Sequence, residues 1–308
     1  MTPRTPEAES PGRCAARRTH VERRPGEARH DEVAIEEPLE IRVDGEALVV
    51  TMRSPGAEVE LALGYLYAEG LIESAGDVDD AAVRSPSAQE RGTVPTIEQV
   101  DPVPGSIVDV RLSSAGHRRA RRAAIAARRE VAFRVTSACG VCGKPSLDDL
   151  WVRLPAIRPL DVEPDRERRL VQALPARMTK HQRLFRDTGG VHAAALFDAR
   201  AGGAEFLWLY EDIGRHNAVD KVIGRALLSG RLPLEATMLV VSGRLGFEIV
   251  QKVAVAGVPL IAAVGAPSTL ALDIAHLAGV RVYAFVAGDR GNFYPAAPVE
   301  ARLVTEPD

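Results

Sequence analysis

The first regular pattern of apolar and polar residues begins at Leu39, Ile41 and Val43, which alternate with polar neighbours and predict a strand. Asp44-Gly45 supplies a tight turn and residues 47–52 the return strand, so the pair reads as a hairpin. Beyond Ser54-Pro55-Gly56, Val59, Leu63, Leu66 and Tyr67 recur at helical spacing, and Gly70 closes that helix. Residues 74–105 are rich in Ser, Pro, Asp and Gln without periodicity and predict a surface loop. Alternation resumes at 107–112 as a strand. A helix follows over 115–130, with a basic face of Arg118, Arg119, Arg121, Arg122, Arg128 and Arg129, and then a strand over 131–135. Residues 170–185 read as a helix with Val171, Leu174, Met178 and Phe185 inward and Pro175 as a kink or break.

After that helix the pattern changes. Short apolar runs at 191–197, 205–210, 237–242, 258–264 and 280–286 are rich in β-formers. Helical stretches, marked by Val219, Val222, Ile223, Ala226 and Leu227, by Ile249, Val253 and Ala256, and by Leu270, Leu272, Ile274 and Leu277, separate the later ones. Strands alternating with helices require crossovers, so this half predicts a mostly parallel sheet with helices on both faces. Ligands of such sheets bind beyond the carboxyl ends of the strands. The polar corners fall there: Thr188-Gly189-Gly190 with His192, the run from Glu211 to Asn217, Ser242-Gly243-Arg244, Gly265 to Thr269, and Ala287 to Asn292. Free amides at helix starts, with Arg215, Arg244 and Arg290, suit a phosphate-bearing ligand. His216 near a helix start is read first as a hydrogen-bonded structural residue, and Trp208 and Phe247 as core.

Residues 1–31 are dense in Pro, Gly, Glu and Arg with few large apolar residues, which predicts a disordered tail. The 308 residues suffice for a sizeable core, and a formal net charge of -3 implies no global attraction to nucleic acid or membrane. The chain shows neither a long apolar span nor the apolar core of a signal peptide, so a cytoplasmic protein is expected.

Composition changes the picture most at the cysteines. Of three, Cys14 lies in the tail, while Cys139 and Cys142 stand three positions apart in Ala138-Cys139-Gly140-Val141-Cys142-Gly143. Such a pair on a glycine-containing loop is half of a zinc site, a dithiol redox pair or a sulfur-carrying thiolate, and each of these needs the thiolate. Two buried structural thiols are the plainer alternative. A zinc-dependent nucleoside deaminase would want a proline before the first cysteine, where Ala138 stands, and these cysteines precede the α/β half.

Read together, Cys139-Gly140-Val141-Cys142-Gly143, the block from Thr188 to Ala194, the block from Glu211 to Lys221 and the block from Phe247 to Lys252 closely resemble the FdhD family, the formate dehydrogenase accessory sulfurtransferases. The resemblance spans about residues 35–294. It implies a three-layer α/β/α, cytidine-deaminase-like larger lobe with a smaller N-terminal α+β subdomain. The expected division is a tail over 1–31, an N-terminal subdomain over 32–135, a cysteine loop and linker over 136–168, an α/β cofactor-binding lobe over 169–296 and a C-terminal tail over 297–308. It further implies a sulfur carrier that takes sulfur from a cysteine desulfurase as a persulfide on Cys139, assisted by Cys142. The sulfur passes to the molybdenum or tungsten bis-molybdopterin guanine dinucleotide of formate dehydrogenase, an acceptor substrate, with no protein-ligated metal expected. The contact to that acceptor maps onto Phe285, Val286, Ala287, Gly288, Asp289 and Arg290. Ala287 replaces an arginine more usual in the family, and Arg244-Leu245-Gly246 a run richer in hydroxyls. A homodimer is expected, as are a cysteine desulfurase and formate dehydrogenase as partners. The alternative is a non-catalytic chaperone that only binds and hands over the cofactor.

Overall fold

The computed structural model describes residues 16–22, 28–87, 105–126, 155, 157–200 and 203–295. The cysteine loop, the strand expected at 131–135 and the C-terminal tail lie outside the described residues. No helix among the described residues is long and apolar enough to cross a membrane.

The protein is a mixed α/β structure with a six-stranded, a four-stranded and a two-stranded sheet. The smaller lobe contains the expected hairpin, β3 (Glu37–Val43) and β4 (Glu46–Arg53), whose turn places both Asp44 and Gly45 at positive φ. The same sheet holds β5 (Val78–Arg84) and β6 (Ser106–Leu112) in the order β4-β3-β6-β5. β5 falls inside the stretch read as loop; it is an edge strand whose residues are mostly exposed, so it lacks the alternation that would announce it. α1 (Glu58–Ala68) covers this sheet through Leu61 and Leu66 against Leu39, Ile41 and Val110, and α2 (Ser114–Ala126) follows β6. On α2, Arg119 is drawn into ion pairs with Glu73 and Asp77.

The larger lobe begins with α3 (Pro164–Thr179), which carries Pro175 inside it, and α4 (Arg183–Thr188). The single helix expected over 170–185 is therefore two. Phe185, expected in the core, sits on the second helix and is 43% exposed, while Val171, Leu174 and Met178 on the first are buried. The six-stranded sheet contains β7 (His192–Asp198), β8 (Glu205–Asp212), β9 (Thr237–Val241), β10 (Leu260–Ala263), β11 (Arg281–Ala287) and β12 (Arg290–Tyr294), in the order β12-β11-β10-β9-β7-β8. Within this six-stranded sheet, among the described residues, only β9, β10 and β11 pair in parallel. β7 is antiparallel to both β8 and β9, and β12 is antiparallel to β11, so the mostly parallel expectation is corrected to a mixed sheet. Residues 199–204 are too short a connection for a crossover, which forces β7 and β8 into a hairpin.

Helices flank the sheet on both sides. Ala194, Leu196, Leu239, Val241, Ile261 and Val282 pack under α5 (Arg215–Leu228), α6 (Phe247–Val255) and α7 (Thr269–Ala278). The alternate residues Ala195, Phe197, Met238, Val240, Leu260 and Tyr283 pack under α3. Both faces being buried, these strands read as continuous apolar runs rather than as alternating ones.

The expected tail is also corrected. From Ala16 it forms an antiparallel ribbon, β1 (Ala16–Glu22) with β2 (Ala28–Ala34), that rests on α4. Its pairing is backbone hydrogen bonding with a cross-strand ion pair, Arg18 to Glu32 at 3.1 Å, rather than an apolar face, so composition conceals it.

Candidate functional site

Because β7 runs opposite to β8 and β9, its first residue lies beside their last ones: His192 is in register with Asp212, and Ala194 with Val241. One edge of the sheet thus gathers His192, the Asp212–Arg215 corner, the Ser242-Gly243-Arg244 exit of β9, the Gly265 exit of β10 and the end of β11. Four of the five corners marked in the sequence are strand exits, and the fifth joins them only through the reversal of β7.

The Glu211–Lys221 stretch divides between anchoring and display. Glu211 accepts from the amides of Leu184 and Phe185, each at 2.8 Å, and so fixes α4; burial raises its carboxyl above the usual range, and these bonds oppose the shift. Asp212 is wholly buried and accepts from the Ser54 amide (3.2 Å), the Gly214 amide (2.8 Å), Asn217 Nδ2 (3.0 Å) and Lys221 Nζ (2.6 Å). Lys221 Nζ also donates to the Ser54 carbonyl at 3.1 Å, and Asn217 Nδ2 to the Met52 carbonyl at 2.8 Å. Ser54 and Met52 belong to the smaller lobe, so these residues latch the two lobes together. One turn on, Asp220 faces Lys252 at 2.8 Å in a buried pair; burial pushes the Asp220 carboxyl up to about 6. Asp220 and Lys221, just beyond the polar corner marked in the sequence, are both interior. His216 meets Glu248 at 3.0 Å, in keeping with its structural reading, and Trp208 and Phe247 pack partly buried on the core.

Arg215 and His192 are what remains at the edge. Arg215 Nε is buried without a hydrogen-bond partner. His192 is half-buried, and desolvation together with the Arg215 and Arg244 cations holds its imidazole below the ordinary histidine range, against the pull of Asp212. The ring is therefore neutral at pH 7 and becomes easier to protonate when an anion neutralises its neighbours.

Two glycines permit this convergence. A Cβ on Gly243 would stand 3.3 Å from His192 Nδ1 and 3.8 Å from Arg215 Cδ. On Gly265 it would stand 2.8 Å from the Gly243 carbonyl oxygen and 2.9 Å from the Arg244 amide nitrogen. The β9 and β10 exits are zipped together by Gly265 N–H to Gly243 O (3.1 Å) and Leu245 N–H to Ala266 O (3.0 Å). This leaves Arg244 exposed beside the histidine.

The expected acceptor contact borders that edge. Phe285, Val286 and Ala287 end β11, Gly288 and Asp289 form the turn, and Arg290 opens β12. β11 is irregular between Ala284 and Ala287, and Phe285 adopts φ 56, a costly conformation for a bulky residue. Its amide donates to the Gly265 carbonyl at 3.3 Å, and its ring is 47% exposed. Arg290, grouped with Arg215 and Arg244 on sequence, is exposed on β12. Cys139 and Cys142 lie outside the described residues. Sequence reasoning missed the close approach of Gly243 and Gly265; their only signal was a glycine directly after each strand.

Comparison with known proteins bears on the same residues. The FdhD/NarQ family model matches residues 34–298. A protein of Anaeromyxobacter dehalogenans named sulfur carrier protein FdhD is 45% identical over 293 residues, covering 93% of this chain and 94% of its own. One of the same name from Streptomyces avermitilis is 40% identical over 291 residues, covering 92% and 94%. The crystal structure of a protein described as a formate dehydrogenase accessory protein, from Desulfotalea psychrophila, superimposes with a TM-score of 0.63 at 22% identity, covering 91% of this chain and 96% of that one.

Proposed function

The chain belongs to the FdhD/NarQ family, and on that premise we propose that it is a cytoplasmic sulfur carrier serving formate dehydrogenase, with the larger lobe in the cytidine-deaminase-like arrangement. Sulfur arrives from a cysteine desulfurase. The Cys139 thiolate attacks the terminal sulfur of the donor's persulfide, a new S–S bond forms on Cys139, and the donor cysteine departs as thiolate. No external oxidant is required, because the transferred sulfur is already at the persulfide level. Cys142, three positions on, assists or relays.

The acceptor substrate is the bis-molybdopterin guanine dinucleotide of molybdenum or tungsten. The observation that carries this reading is the edge where Arg215, with an unpartnered Nε, His192 and Arg244 meet around Gly243. Pyrophosphate oxygens would accept from these guanidiniums and from His192, which takes up a proton as they bind. Gly243 and Gly265, lacking a Cβ, let His192, Arg215 and the two strand exits close up on one another. The exposed Phe285 ring and the Gly288-Asp289 turn border the same edge. A homodimer is the proposed assembly.

Intact-mass measurement after incubation with a cysteine desulfurase and cysteine tests the sulfur step. Wild type should gain the mass of one sulfur, reductant should remove it, and Cys139→Ala should not gain it. No gain in wild type would leave a cofactor-binding chaperone as the function.

A further inference from the structure

The corner that carries Arg215 is built from both lobes. It runs from Asp212, the last residue of β8, through Ile213 and Gly214 to the first residue of α5. Gly214 stands at the N-cap of α5 and has no side chain with which to cap it, so the corner is not shaped by its own sequence. Its hydrogen bonds go elsewhere. Asp212 Oδ1 accepts from the Gly214 amide and from Asn217 Nδ2, and the Ile213 amide donates to the Ser54 hydroxyl oxygen at 3.1 Å. Ser54 in turn donates its own amide to Asp212 Oδ2 and accepts from Lys221 Nζ at its carbonyl. This residue of the smaller lobe therefore grips Asp212 and Ile213, the two residues that lead into Gly214 and Arg215.

Ser54 is held firmly enough to act as a template. It is 1% exposed and directly follows Arg53, which ends β4 and is buried between Glu37 at 2.8 Å and Glu58 at 3.2 Å. Pro55 comes next and restricts Ser54 to extended backbone. Just upstream, the Met52 carbonyl accepts from Asn217 Nδ2, and Thr51 Oγ1 donates to Asn217 Oδ1 at 3.3 Å. Beyond the corner, Arg215 Cδ lies 3.8 Å from the point that a Gly243 Cβ would occupy, and His192 Nδ1 lies 3.3 Å from the same point. A small shift of the corner therefore changes how Arg215 stands against His192.

We propose that Ser54 is a positioning residue for the arginine edge: through Ile213 and Asp212 the smaller lobe sets where Arg215 stands, so the anion-binding edge of the larger lobe is complete only with the smaller lobe in place. The proposal rests on the phosphate-binding role given to that edge above. Without the Ser54 hydroxyl the Ile213 amide loses its acceptor, while Asp212 keeps its bonds to the Ser54 and Gly214 amides, Asn217 and Lys221. The lobes stay joined and only the backbone leading to Arg215 is released.

The test is NMR titration of the His192 imidazole in the full chain, with pyrophosphate binding measured by calorimetry in the same preparations. Arg215, Arg244 and Asp212 face this ring; burial and the two cations lower its titration and Asp212 raises it. Ser54→Ala, by letting Arg215 move off Gly243, should move the titration upward and weaken pyrophosphate binding at least about fivefold, the lower end of coupling between sites. Thr237→Ala is the control. The buried Thr237 hydroxyl donates to the Leu234 carbonyl at 2.8 Å at the opposite end of β9, so its loss removes a comparable bond away from the edge and should leave both readouts at their wild-type values. Ser54→Ala titrating as wild type, or holding pyrophosphate as tightly, or Thr237→Ala shifting His192 by as much as Ser54→Ala, would overturn the inference. A His192 shift in Ser54→Ala alone, with no pyrophosphate bound by wild type, would uphold the positioning and sink the anion-binding reading instead.

Discussion

The Glu211–Lys221 stretch contributes to two regions that treat charge in opposite ways. In the latch, Asp212, Asn217 and Lys221 spend their hydrogen-bonding capacity on Ser54, Met52 and one another, and Asp220 is matched by Lys252. At the edge, Arg215 holds a buried Nε with no partner, and His192 is kept neutral by its burial and by the cations around it. The Asp212–Asn217–Lys221 groups, with partners on both lobes, hold the lobes together, and the Asp220–Lys252 pair ties α5 to α6. The Arg215 Nε has no such internal partner. A polar motif in sequence does not distinguish the two, because the distinction lies in what packs against each residue.

The largest effects are expected at the buried charges. Lys252→Met leaves the Asp220 carboxylate buried without its cation and should cost about 3–5 kcal/mol of unfolding free energy. Asp220→Leu combined with Lys252→Met should recover most of that loss; denaturant midpoints of the single and double variants check it. Next come the helix glycines. A Cβ on Gly224 would stand 1.9 Å from the Glu60 carbonyl oxygen, and one on Gly64 1.8 Å from that of Asp220, so α1 and α5 touch backbone to backbone. Gly224→Ala forces them apart and should cost about 3 kcal/mol, at the upper end of overpacking penalties.

At the edge the same kinds of change should hardly affect folding. Arg244→Glu, on an exposed corner, should stay within about 0.5 kcal/mol of wild type in stability. Phe285→Gly should raise stability by roughly 1 kcal/mol, because glycine tolerates the positive φ that strains phenylalanine. The smallest effect is a pH dependence. The folded pKa of His192 lies below its unfolded value near 6.5, so its contribution to stability is intact above about that pH and is lost as the pH falls toward the folded value. His192→Phe should flatten the acid limb of the stability profile. Added pyrophosphate should move wild type toward the same flat profile, because the bound anion favours the protonated ring.

Much of this architecture was legible in the chain. The β3–β4 hairpin, α1 and the strand–helix alternation after Val191 follow from periodicity because each buries apolar residues at a regular interval. β1, β2 and β5 were hidden because ribbons and edge strands are held largely by backbone pairing, and β12 because four of its five residues are exposed. The direction of β7 escaped because apolar patterning is blind to strand polarity, and only the short 199–204 connection carried that information. Among site residues, Arg215 and Arg244 were visible as cations after strands. The unpaired Arg215 Nε, the strain at Phe285 and the burial of Asp220 and Lys252 are tertiary properties that no spacing encodes.

Delivery of sulfur from Cys139 to a phosphate-bearing acceptor held by the arginine edge is the step that joins the two proposed halves of the function. Chains loaded with radiolabelled sulfur, mixed with formate dehydrogenase carrying sulfur-deficient cofactor, test it in a single turnover. Arg244→Glu should load as fully as wild type and deliver label at least tenfold more slowly. Delivery by Arg244→Glu at the wild-type rate would mean that the arginine edge does not hold the acceptor.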